Sequence, residues 1–377
     1  MYESHERALE ALARRGRRRE LAAISGVDFA SNDYLGLAAS EELRQVAQAA
    51  VERGVPIGSG ASRLLRGNHR EHEALEAEAA AYFGAETALF FGGGFLANVA
   101  IFSALPQRGD LVVHDALIHA SVHDGMRMGK AEHVEARHND PQSFEDQIKV
   151  WRARGGKGTP WIAVESLYSM DGDIAPLDAL AEIAARHDGV LVIDEAHATG
   201  VLGPSGRGLG AHLEGRADVV AVHTCGKALG AMGALVTAPK VLSDYLVNRS
   251  RPFIYATAPS PLVAAIVRGA LMISRFETRR REKLRQLVTF AGERLSQSCG
   301  VEPSGTHIQP VIVGSDERAT RLAAAVQQRG FDVRAVRPPT VPEGTARLRL
   351  SLTLNVDEAK VTALTDALAD ELAGLHA

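Results

Sequence analysis

Lys227 lies in HTCGKALG at 223–230, a glycine-containing turn just beyond the apolar run Val219–Val222. A lysine in such a turn is a solvated loop residue unless its neighbours give the amine a task. Thr224, three residues earlier, offers a hydroxyl, and DEAHATG at 194–200 places Asp194 and His197 directly after another apolar run, Val190–Ile193. If the two runs are neighbouring strands, amine, hydroxyl, carboxylate and imidazole share one rim. That set suits pyridoxal phosphate. A lysine forms a Schiff base with its aldehyde, and a carboxylate keeps the pyridine nitrogen protonated so that the ring accepts electrons. An imidazole hydrogen-bonds the phenolate oxygen, and backbone N–H groups at a helix N-terminus hold the phosphate. The GGGF turn at 92–95, ahead of a candidate helix, offers such N–H groups. His119, in HDALIHAS at 114–121, has a flat ring able to stack on a pyridine, although a lone histidine is more often structural.

The apolar pattern supplies the elements that must position these groups. Helices are predicted at 41–52, 71–83, 95–105 and 177–188, and short apolar runs at Ala88–Phe91, Leu111–Val113, Ile162–Val164, Val190–Ile193 and Val219–Val222. Unbroken apolar runs separated by helices describe strands buried on both faces of a mainly parallel sheet. Gly92, His114-Asp115, Glu165, Asp194-Glu195 and His223-Thr224 follow these runs in turn. That carboxyl-end rim is where open α/β sheets bind ligands. After residue 272 the pattern changes to a charged helix at 277–298, strands near 308–313, 331–336 and 346–352, and helices at 316–329 and 357–374. The expected division is an N-terminal segment (1–40), a large α/β domain (41–272) and a small α+β domain (273–377).

Composition narrows the function classes. A chain of 377 residues has room for two domains. Its apolar fraction of 46% and charged fraction of 23% exclude wholesale disorder. Net charge is 42 − 46 = −4, which argues against a globally basic nucleic-acid binder. Cys225 and Cys299 form neither a disulfide framework nor a zinc motif, so no metal is expected, and a reducing cytoplasmic compartment is. The uncharged stretch Thr87–Gln107 is interrupted by three glycines and reads as strand, turn and buried helix rather than a membrane span. Glu3, Glu6 and Glu10 with no following apolar stretch argue against a signal peptide. The ARRGRRRE run at 13–20 reads as a solvated helix face, with a phosphate-facing patch as the sharper alternative.

Taken together, SNDYLGL (31–37), GSGASRLLRGNH (58–69), GGGFLAN (92–98), HDALIHAS (114–121), SMDGDIAPL (169–177), DEAHATG (194–200), HTCGKALG (223–230) and PPTVPEGTARLRLSL (338–352) resemble the α-oxoamine synthase family. These are fold-type-I pyridoxal-phosphate transferases: a mainly parallel seven-stranded sheet with flanking helices, plus a smaller C-terminal α+β domain. The likeness is strongest to members that condense L-alanine with a pimeloyl thioester in biotin synthesis, losing CO₂. The resemblance implies that Lys227 carries the cofactor and moves protons, Asp194 faces the pyridinium nitrogen, His197 the phenolate oxygen, and His119 stacks on the ring. It puts Gly94, Phe95 and Thr224 at the phosphate end, Ser169 near the ring, and Thr257 on a phosphate held by the partner subunit of a homodimer. Arg349 would bind the amino-acid carboxylate. Asn32, Thr340 and an N-terminal arginine, Arg17 rather than Arg18 or Arg19, would contact substrate.

Within the family, acyl choice rests on Leu64. Relatives that make 5-aminolevulinate carry an asparagine there; an apolar residue suits a longer chain, at roughly 0.8 kcal/mol per buried CH₂. The alternative is another branch, acting on glycine with an acetyl or succinyl thioester. Two other classes explain less. A dinucleotide-binding oxidoreductase needs G-x-G-x-x-G, and GGGFLA has Ala97 at the third glycine. A nucleic-acid or scaffold protein would use the N-terminal arginines and ignore the rim. Neither nucleic acid nor membrane is an expected partner.

Overall fold

The computed structural model describes residues 1–21 and 23–376. The chain divides into two compact units, Leu35–Ser169 with Ile174–Arg281, and Met1–Tyr34 with Met170–Asp173 and the residues from Glu282 onward. The N-terminal stretch through Tyr34 clusters with the C-terminal residues because β1 (Val27–Asp28) pairs in parallel with Phe331–Asp332. The ARRGRRRE run, expected on a solvated helix face, is helical only at its start: the helix Glu3–Arg14 has no buried residue, and residues 15–20 follow it as turn and irregular chain.

The larger unit is built on seven strands: β2 (Thr87–Phe91), β3 (Leu111–Asp115), β4 (Glu132–Ala136), β5 (Pro160–Glu165), β6 (Val190–Asp194), β7 (Val219–Thr224) and β8 (Ala234–Ala238). Their spatial order is β2-β8-β7-β6-β5-β3-β4. β4, β3, β5, β6 and β7 run parallel, and β8 lies antiparallel to both β7 and β2. Two strands escape the sequence pattern. β4 reads EHVEA and is largely exposed, so it carries no apolar run. β8 follows β7 too closely for a crossover helix, which is why it pairs antiparallel.

Side-chain alternation splits the core into two layers. Val112, Trp161, Ala163, Val192, Val220 and Val222 pack on one face against Ala97, Ala100 and Ile101 of the helix Gly94–Ala104. Val113, Ile162, Val164, Leu191, Ile193 and Ala221 pack on the other with Phe144, Ile148, Leu180 and Ala184. Each such large aliphatic side chain contributes about 1.5–3 kcal/mol of burial. The uncharged stretch from Thr87 is β2, a glycine turn and that helix. No helix among the described residues is long and apolar enough to cross a membrane.

In the smaller unit β9 (Ile308–Gly314), β11 (Arg334–Val336) and β12 (Ala346–Ser351) form an antiparallel sheet in the order β11-β12-β9. The strand expected near 331–336 is two: β10 (Phe331–Asp332) joins β1, and β11 joins β12. Helices Asp316–Gln328 and Glu358–His376 belong to the same unit.

Candidate active site

The alternation that fills the core also sorts the rim. Glu165 continues the Trp161–Ala163 series, Asp194 follows Val192, and Thr224 follows Val220 and Val222. All three therefore leave the sheet on the face covered by the helix Gly94–Ala104. Glu165 and Asp194 are direct register partners on β5 and β6.

Asp194 is 7% exposed, and each of its oxygens has a donor. Asn98 Nδ2 donates to Oδ2 at 2.7 Å, and the Ala196 N–H donates to Oδ1 at 2.9 Å. Asn98 comes from the helix after the glycine turn, and its amide also donates to Ser121 Oγ at 3.0 Å. Ser121 Oγ lies 2.7 Å from His119 Nδ1, and that nitrogen also accepts the Ser121 N–H at 3.2 Å. Nδ1 thus acts as acceptor, which assigns the ring proton to Nε2. A continuous chain, Asp194–Asn98–Ser121–His119, ties three separate motifs together. Desolvation lowers the His119 pKa; the Asp194 charge opposes this and the Lys227 charge adds to it.

Close helix packing makes the chain possible. A Cβ on Gly125 would stand 2.8 Å from Phe102 Cβ and 3.1 Å from Asn98 O, so only glycine lets the helix Ala120–Met128 come near enough for Ser121 to reach Asn98.

Gly94 opens the helix Gly94–Ala104 with no side-chain cap at its N-terminus, leaving first-turn N–H groups for an anion. A Cβ on Gly94 would lie 2.6 Å from Thr224 Cγ2, so these two expected phosphate-end residues are neighbours. Thr224 Oγ1 donates to Ala196 O at 3.2 Å. Lys227 is half-buried in the turn after β7 and is close enough to His119 and Glu165 to shift both electrostatically. His197 is 5% exposed in the turn after β6. The Ser169 N–H donates to Glu165 Oε2 at 3.0 Å. Phe95 and Thr257 are exposed in the single chain. Leu64 is 50% exposed on a one-turn π-helix, Arg63–Gly67.

In the smaller unit Arg349 is 7% exposed. It donates to Ser351 Oγ at 2.6 Å, Asn32 Oδ1 at 3.0 Å and the Tyr34 hydroxyl at 3.3 Å. Asn32 and Arg349, both expected at the substrate, are thus joined directly. Arg17 instead pairs with carboxylates, 2.6 Å from Asp316 and 2.8 Å from Glu343, which favours a structural duty for it. Thr340 is exposed, its N–H bonded to Arg337 O at 3.1 Å.

Sequence reading missed Asn98, Ser121 and Glu165 as site residues. Asn98 and Ser121 stand inside quoted motifs, and an asparagine within a strongly apolar helix was the available signal. Glu165 was noted only as a strand end.

Residues 24–368 match the family model for aminotransferase class I and II. The 8-amino-7-oxononanoate synthase of Chromobacterium violaceum is 45% identical over 344 residues, covering 91% of this chain and 88% of that protein. The solved structure of 8-amino-7-oxononanoate synthase from Francisella tularensis superposes with a TM-score of 0.79 at 28% identity, covering 94% of this chain and 99% of that one. Serine palmitoyltransferase from Sphingomonas wittichii superposes at 0.90 with 26% identity, covering 100% and 98%. This chain belongs to the aminotransferase class I and II family and, within it, to the α-oxoamine synthases.

Proposed function

We infer that the protein is a pyridoxal-phosphate-dependent acyltransferase that condenses L-alanine with a pimeloyl thioester and releases CO₂, as an 8-amino-7-oxononanoate synthase does. The observation that carries this reading is the Asp194–Asn98–Ser121–His119 chain, on the same rim as Lys227 and beside the Gly94–Thr224 recess. The donor set fits the cofactor. Asp194 is a buried carboxylate for a ring nitrogen, and the recess that a Gly94 Cβ would fill lies at an uncapped helix N-terminus suited to a phosphate. When bound, pyridoxal phosphate supplies an electron-accepting ring that stabilises negative charge on a substrate carbon.

The chain's own groups divide the remaining work. Lys227 takes the proton from the amino-acid Cα and later returns one. Neutral His119, held by Ser121, offers a flat face without adding charge. His197 would serve as hydrogen-bond partner to the phenolate oxygen, with Ser169 on the ring side. Gly94, Phe95 and Thr224 would hold the phosphate, and Thr257 would reach the phosphate of the partner subunit in a homodimer. Arg349 binds the alanine carboxylate with Asn32 alongside, a task suited to a planar guanidinium. Leu64 favours methylene over polar acyl chains, and Thr340 contacts the acyl substrate. We place the enzyme in the cytoplasm, in keeping with its two free thiols.

The test is an assay of the purified protein with pimeloyl, succinyl and acetyl thioesters, on coenzyme A and on acyl carrier protein, each against alanine and glycine, with product masses read out. Pimeloyl with alanine is expected to give the highest kcat/KM. Preference for glycine with a shorter acyl group would move the protein to another branch of the family.

A further inference from the structure

Glu165 has no part in the reaction just described, yet it is 2% exposed at the heart of the rim. It and Asp194 are register partners on parallel strands, so two buried carboxylates leave the same sheet face side by side. Their hydrogen bonding is unequal. Asp194 has a donor on each oxygen, from Asn98 and from the Ala196 N–H. Glu165 takes its donors from one residue, the Ser169 N–H on Oε2 and the Ser169 side chain, while Oε1 is buried with no hydrogen-bond partner among the described residues. Neighbouring buried carboxylates do not both ionise readily, and hydrogen-bond donors favour the charged form. The one with an oxygen left without a donor, Glu165, is therefore the one of the pair that keeps a proton. Ionic groups face Glu165 from two other elements, Asp194 on β6 and Lys227 in the turn after β7; Ser169 faces it from its own turn.

We propose that Glu165 is a positioning residue that works as a neutral carboxylic acid, keeping a second negative charge away from Asp194 and fixing Ser169 through its backbone N–H. The proposal rests on the cofactor reading above only for what the pocket holds. Burial pushes the Glu165 carboxyl up to about 8, the Asp194 charge acts in the same direction, and Lys227 opposes them. The proton matters for Lys227 as well. A second anion beside the amine would hold it as ammonium, and an ammonium cannot accept a proton from Cα.

The test compares full-length wild type with E165Q, with and without cofactor. Infrared difference spectra of the cofactor-free proteins should show a deuterium-sensitive protonated-carboxyl band in wild type at pH 7. The wild-type-minus-E165Q difference should contain that band and lose it above about pH 8, because Glu195, also pushed up by burial, contributes equally to both proteins. Loaded with pyridoxal phosphate, E165Q should follow neutral wild type in its visible spectrum and lose the alkaline limb that the proposal predicts for the wild-type kcat profile. E165A should bind the cofactor more weakly, because Ser169 loses its anchor. D194N gives an independent check if E165Q does not fold: with the neighbouring charge gone, the band should fade at lower pH. No protonated-carboxyl band at pH 7, or a band in E165Q equal to that of wild type, overturns the proposal. Failure to bind pyridoxal phosphate would sink the cofactor reading and leave the infrared result to decide on Glu165.

Discussion

Asn98→Ala removes the central link of the Asp194–His119 chain. Its amide donates to a buried carboxylate at 2.7 Å and to a buried hydroxyl at 3.0 Å. A hydrogen bond to a charged group contributes about 1.5–3 kcal/mol and a neutral one about 0.5–1.5. Alanine returns about 0.5 kcal/mol of helix propensity. The expected loss is therefore about 1.5–4 kcal/mol. Urea unfolding of the cofactor-free protein reads it as a lower midpoint at unchanged slope. Pyridoxal phosphate should also bind more weakly, because Asp194 is left with one donor and His119 loses its anchored partner. Asn98→Asp should be worse, since it sets a buried acid against Asp194 Oδ2 where the amide now donates. An Asn98→Ala protein within about 0.5 kcal/mol of wild type, with cofactor affinity unaltered, would refute the reasoning that this chain holds the site together.

Lys227→Ala should fold and lose synthase turnover altogether, and product detected by mass under conditions that report wild type would remove Lys227 from its role. Gly94→Ala forces a methyl to 2.6 Å from Thr224 Cγ2, so cofactor affinity should drop at least tenfold with little change in thermal stability; equal affinity would place the phosphate elsewhere. Arg349→Ala should raise the alanine KM far more than it perturbs the bound cofactor's spectrum, and an unchanged alanine dependence would contradict the assignment. Burial lowers the His72 pKa most, and its ring accepts the His69 N–H at 3.1 Å and lies 2.7 Å from Pro259 O. A depressed folded pKa gives stability that is full above the unfolded value, near 6.5, and lost as pH falls below it. Imidazole NMR should show His72 and His119 titrating below pH 6.5, and a midpoint above that value for either would contradict its burial.

The sheet was legible because parallel strands buried on both faces leave apolar runs, and five of the seven did. β4 was hidden because an exposed edge strand keeps its charges, and β8 because it pairs across a turn with no helix to mark it. Lys227, Asp194, His119 and Gly94 were readable because their residue types are unusual where they stand. Asn98, Ser121 and Glu165 were not, because their roles arise from partners that only folding supplies. Asn98 lies 23 residues from one partner and 96 from the other. Glu165 matters through its register opposite Asp194, and one-residue slippage would send it to the other face. Arg17 shows the converse. Arginines in a row offer no local basis for choice, and the fold spends this one on Asp316 and Glu343.

Alternation also explains why DEAH carries two acids in succession. Asp194 faces the site, so Glu195 must face away from it. It is fully buried there, accepting the Ser166 hydroxyl at 2.6 Å and the Leu209 and Gly210 N–H groups. A Cβ on Gly208 would stand 2.6 Å from the Glu195 carboxylate, so glycine is what lets that loop fold over the acid. Thr199 Oγ1 lies 2.9 Å from both Glu195 O and His223 Nδ1, and His223 Nε2 lies 3.2 Å from Glu214 Oε1. Burying so many polar groups costs desolvation that their mutual attraction at best offsets, so stability does not account for them. What they do is cross-link the ends of β6 and β7 from behind. Those ends carry Asp194 and the turn with Lys227, whose separation the front of the pocket cannot set while it is open to receive a ligand. Fixing the rim from the rear layer leaves the front face clear for chemistry.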